Sequence, residues 1–196
     1  MAQTHFTIGR KSAQNSTSMT LSLATLLVAG ILIVLGAFQL ISPRNSQSMW
    51  TGMLRSQPAA IVFMTAATAW FVWELLHLGA PDFGNHKNKL IVFFIASSFL
   101  SFRYIPDFLS VRGLAAFLLL ASDAVLDAAY MKDPQTRLFL VTFVYLVIAA
   151  SMYLASLPYR LRDFFEWLYK RPIITQALAS FFLVYGLLLI GITFTY

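Results

Sequence analysis

The sequence predicts an all-α, polytopic membrane helical bundle of about six transmembrane helices, arranged as three hairpins with interfacial segments at their junctions. Three observations carry this. Of 196 residues, 59% are hydrophobic and only 11% are charged, whereas soluble domains carry about 25% charged residues. The mean hydropathy is +0.72. The apolar residues also fall into helix-length runs whose edges carry proline, at Pro43, Pro58, Pro106, Pro158 and Pro172, and proline both ends helices and opens them. No stretch is long or polar enough for a separate soluble domain. A polar tail, 1–18, therefore leads into one transmembrane domain, 19–196.

The first span, about 21–42, is uncharged. It is longer than the apolar core of a secretory signal and lacks a small-residue cleavage motif, so it reads as a membrane helix. The junction after Pro43 alternates basic and aromatic residues, Arg44, Trp50 and Arg55, as segments at the headgroup level do. Pro58 opens the second span, about 58–79, whose end carries Trp70, Trp73, Glu74 and His77. Gly79, Pro81, Gly84 and Asn85 then break the helix.

The third span, about 90–105, has the shortest apolar run, and it crosses if the helix continues through Arg103 or the bilayer thins. Arg103 and Asp107 would pair at i,i+4 in a continuous helix, but Pro106 between them argues for a kink or an end. The fourth span, about 113–131, carries Asp123 and Asp127. The fifth runs about 138–157 and the sixth about 173–195, both uncharged. Between these two, Leu161, Phe164, Phe165 and Leu168 recur at i, i+3, i+4 and i+7, with most charges elsewhere on the wheel. That pattern predicts an amphipathic helix, 159–171, lying in the interface, with Phe164, Phe165, Trp167 and Leu168 as anchors against lipid or a partner.

Asp123 and Asp127 form the strongest functional lead. Their i,i+4 spacing sets both on one helix face. Counted from Gly113, Asp123 falls about 15 Å along the helix, near the middle of a hydrocarbon core about 30 Å thick. Acids at that depth mark proton or cation paths, or serve as hydrogen-bonding glue between helices. Glu74 and His77 stand three residues apart, on one face, at the end of a helix that runs in the same direction; they cap that span at the headgroup level, or one polar pocket could collect all four. A single His77 is also able to ligate one haem or pigment. The expected metal content is otherwise none: E-x-x-H occurs once, where a di-iron bundle needs it twice with further glutamates.

Other classes are excluded by composition. There is no cysteine, which removes thiolate metal sites, iron–sulfur clusters and cysteine nucleophiles. The net charge of +6 sits beside apolar spans, where basic residues meet headgroups, and nucleic acid is not an expected partner. There is no G-x-S-x-G, P-loop or H-E-x-x-H, and no second intramembrane histidine for a di-haem cytochrome. The expectation is a non-enzymatic, multi-pass protein, of the cytoplasmic membrane if the cell is bacterial. It would be an accessory subunit joined to other membrane subunits or to copies of itself; the alternative is a small proton- or cation-coupled carrier. Eight Lys and Arg lie on the junction side against six on the other, which favours junctions in the cytoplasm.

Overall fold

A computed structural model describes residues 19–77, 86–104, 108–133 and 135–195. These form eight helices: α1 (Leu21–Ile41), α2 (Pro43–Leu54), α3 (Gln57–Leu76), α4 (Lys87–Tyr104), α5 (Leu109–Ala129), α6 (Arg137–Ser156), α7 (Tyr159–Tyr169) and α8 (Pro172–Thr193). There is no strand among the described residues. Five helices, α1, α3, α5, α6 and α8, are long and apolar enough to cross a bilayer. The chain is a multi-pass helical membrane protein.

The breaks have a common chemistry. Ser42 (φ −136°, ψ 67°) and Leu157 (φ −128°, ψ 68°) leave the helical region with nearly the same backbone angles. Each precedes a proline, whose ring disfavours the α conformation in the residue before it. A short helix therefore starts afresh at α2 and again at α7, and neither continues a long span. Starts are capped as well: the Thr20 and Ser56 hydroxyls accept from the amides of Leu23 and Ala59, both at 3.3 Å, which satisfies amides that a helix start otherwise leaves open.

The core lies among α1, α5, α6 and α8, where Leu21, Leu32, Ala129, Leu140, Val144 and Leu189 form one buried cluster. Small residues set the tightest contact. A Cβ added at Gly36 would stand 2.8 Å from the Ala179 carbonyl oxygen, and one at Gly186 would stand 3.0 Å from that of Ala29. Rising numbers on α1 meet falling numbers on α8, so the two helices are antiparallel. Their paired small residues recur every seven positions, close to two helical turns, and let the backbones approach. Each long helix thus finds its main neighbour outside its own hairpin: α1 lies on α8, and α3 on α5.

The outer helix is α4. It has no buried residue and packs chiefly on α3. Its 18 residues span about 27 Å, a length reached by extending the apolar run through Lys87 and Lys89 at one end and Arg103 at the other. Long cationic side chains at helix ends can reach the headgroups along their own stems. Pro106 and Asp107 lie outside the described residues, as do Gly79, Pro81, Gly84 and Asn85.

The junction between the first two spans is helical throughout α2, with Ser46, Trp50, Met53 and Leu54 turned inward. It packs on α7: Ser46 and Tyr169 share a 2.9 Å hydrogen bond, and Trp50 stacks on Phe165 at 5.8 Å. Leu168 is buried within the chain, beside the Thr175 hydroxyl that donates to its carbonyl at 2.8 Å. Of the four aromatic and aliphatic anchors on α7, Phe165 and Leu168 are thus used inside the chain, while Phe164 and Trp167 stay exposed.

Candidate functional site

The acidic residues gather where α3 and α5 end side by side. Gly113 sits against Met64, so close that an added Cβ would stand only 2.9 Å from the Met64 nitrogen, and Phe117 meets Trp70 edge-on at 5.5 Å. This register, carried about a turn and a half further, sets Asp123 level with Glu74 and Asp127 level with His77. Both Asp127 and Glu74 lie within electrostatic reach of Asp123. Because α5 begins at Leu109, four residues before Gly113, Asp123 stands about 21 Å along a helix of about 31 Å. It is in the last third of the span rather than at its centre.

Local bonds hold the α3 side of this face. Trp70 Nε1 donates to Glu74 Oε1 at 3.2 Å, and His77 Nδ1 donates to the Trp73 carbonyl at 2.8 Å while its ring lies 4.6 Å from that of Trp73. With Nδ1 committed, Nε2 is the nitrogen left to take a proton or a ligand. Glu74, His77, Asp123 and Asp127 are all exposed on the chain surface. The ion pairs among the described residues both belong to Arg162, with Asp163 and Glu166 at the junction end. No three or more His, Asp or Glu side chains among the described residues stand close enough to hold a metal ion. The four residues share an end of the bundle and are open to its surroundings there.

The neighbouring helices are tied down at this same end. Arg137 Nη1 donates to the Ala129 carbonyl at 2.8 Å, placing a cation on the negative end of α5. Thr136 and Thr195 share a 2.9 Å hydrogen bond, and the Tyr185 hydroxyl donates to the Phe139 carbonyl at 2.8 Å. These bonds anchor α5, α6 and α8 and leave α3 and α4 at the margin.

Sequence reasoning missed two clefts between α3, α4 and α5. One, of about 200 Å³, opens at the junction end beside Arg55, Phe102 and Phe108. The other, of about 350 Å³, lies further along the same helices between Phe71, Phe94 and Leu119. Phe108 holds a left-handed backbone at φ 55°, a conformation that costs an L residue about 1–2 kcal/mol. A signal for the second cleft existed in the row of Ser97, Ser98 and Ser101 on α4, but hydroxyls one turn apart are common in spans and name no partner helix. No protein-family model, curated protein or solved structure matches the chain. What the fold and the site define is a class, the multi-pass helical membrane proteins.

Proposed function

We propose that the chain is a non-catalytic subunit of a larger membrane assembly, of the cytoplasmic membrane where the cell is bacterial. The observation that carries this reading is the exposure of Glu74, Asp123 and Asp127 on one side of α3 and α5, with no cationic partner among the described residues. Asp123 is about 9 Å short of the helix end, and a bare carboxylate inside a span is costly, by less than the roughly 2.5–3.5 kcal/mol that insertion scales give at the helix centre. A second subunit, or a second copy, that brings hydrogen-bond donors or a cation to this face removes that cost. The test is the mass of the protein extracted from its native membrane in mild detergent. The subunit reading expects a particle well above 22.0 kDa that falls apart in Asp123→Leu. A lone monomer that is indifferent to this change sinks it.

A proton- or cation-coupled carrier is the second reading. It is favoured by the position of α4, an outer helix with no buried residue that flanks a cleft beside the carboxylate-bearing helices, since transporters place their sites at such marginal or interrupted helices. Proton or cation flux in vesicles, lost in Asp123→Asn and Asp127→Asn, would distinguish it from a purely structural subunit.

A further inference from the structure

We infer that the groove formed by α3, α4 and α5 binds an anionic phospholipid, with its phosphate at Arg55 and Arg112 and an acyl chain in the apolar cleft beyond them. The inference is independent of the acidic face at the far end of the same helices.

Arg112 is the central observation. Its Nε is buried and has no hydrogen-bond partner among the described residues, and an unpartnered buried donor on a charged group is uncommon in a folded protein. On α5 it follows Leu109, which lines the junction-end cleft, by three residues, and precedes Ala116, which lines the apolar one, by four. Helical periodicity puts all three on one face. Arg112 lines neither cleft itself, and its helical position sets it between the two. Arg55 lines the first cleft, and Arg103 extends from the last turn of α4 next to Phe102 of its wall. Guanidinium groups donate to phosphate oxygens in pairs, and none of these three is ion-paired among the described residues.

The second cleft has the opposite character. Met64, Phe71, Phe94, Leu119 and Leu120 supply its walls. Three of its four hydroxyls are spent on the helices themselves: Thr68 donates to the Met64 carbonyl at 2.7 Å and bonds Ser98 at 2.8 Å, and Ser101 donates to the Ser97 carbonyl at 2.8 Å. What remains toward the groove is mostly hydrocarbon. From Ala60 in the first cleft to Phe71 in the second is about 16 Å along α3, close to the depth of one leaflet of a core about 30 Å thick. A cationic mouth over an apolar trough one leaflet deep fits a phospholipid lying parallel to the spans.

The test uses the full chain in mild detergent, exchanged into mixed micelles holding equal phosphatidylglycerol and phosphatidylcholine, with retained lipid measured by mass spectrometry. Wild type should retain phosphatidylglycerol over phosphatidylcholine by about tenfold, the scale of a charge-assisted hydrogen bond. Arg55→Gln with Arg112→Gln should bring the ratio to parity, Arg112→Lys should keep part of it, and Ala116→Trp, which fills the trough, should lower retention of both lipids. Equal retention by wild type overturns the inference. So does an unchanged preference in the glutamine pair when it elutes as wild type does; if that pair fails to fold, Arg112→Lys decides, and a ratio identical to wild type overturns the assignment of Arg112. Complete displacement of lipid by inorganic phosphate would make the site one for phosphate and also overturn the assignment.

Discussion

Gly36 on the first span lies so close to Ala179 on the last that any side chain there would press within 2.8 Å of the Ala179 carbonyl oxygen. Backbone atoms of a packed helix cannot retreat as a flexible side chain can. Gly36→Ala and Gly186→Ala should each cost about 1–3 kcal/mol by overpacking, read as a lowered unfolding temperature in detergent. Gly30→Ala and Gly191→Ala add a methyl where nothing lies within 4 Å. They should leave that temperature unchanged or slightly raised, and equal losses at all four glycines would refute the close approach of α1 and α8.

A buried bond ties the short helix α2 to α5. Ser110 Oγ donates to the Leu54 carbonyl at 2.7 Å, with both residues almost wholly enclosed. Ser110→Ala leaves that carbonyl without its donor, so a loss of about 1–3 kcal/mol is expected. Ser48, exposed on α2, serves as the comparison, and Ser48→Ala should change stability by less than about 0.5 kcal/mol.

Tyr169 gives the junction end a dependence on alkaline pH. Burial pushes its phenol above the ordinary value, and the hydrogen bond with Ser46 only partly offsets this. The protonated form is the one the fold holds, so its contribution is fully present below the unfolded phenol value of about 10 and is lost as pH rises through the higher folded value. The contact between α2 and α7 should loosen in that window, followed by fluorescence of Trp50, which stacks on Phe165 beside it. Tyr169→Phe should abolish the alkaline transition, and a transition that persists in this variant assigns it to another group.

The absence of cysteine makes topology directly measurable. Single cysteines at Asn45 and Glu166, both exposed at the junction end, should react with an impermeant maleimide from one side of the membrane. Cysteines at His86 and Lys132, exposed at the opposite end, should react from the other. The positive-inside rule, with eight Lys and Arg at the junctions against six at the other end, makes labelling of the first pair from the cytoplasmic side the expected outcome. Labelling of all four from one side would contradict the bundle.

The long helices were legible because each is an apolar run bounded by proline or charge, and α7 because its large apolar residues recur with helical period. α2 was harder to see. Its inward face consists of Ser46, Trp50, Met53 and Leu54, too mixed in polarity to stand out as a stripe. The pairing of α1 with α8 was hidden for another reason: Ala29, Gly36, Ala179 and Gly186 mark a close approach only once the two helices are known to meet. Arg112 hides the start of α5, since a charge at the edge of the apolar run lies inside the helix, and the acidic residues stand further from the centre than that run implies. That Glu74 comes level with Asp123 follows from Gly113 packing on Met64, a long-range contact with no local signature.

The clasp between α1 and α8 also has a consequence for synthesis. Ile41 ends α1 and Pro172 begins α8, and at about 5–20 residues per second the ribosome needs roughly 7 to 26 s to cover that interval. For all of this time the small-residue face of α1 is in the membrane without its native partner. Any other helix with small residues at the same spacing can occupy it meanwhile, so wrong pairing of the first span is a hazard that ends only with the insertion of the last helix.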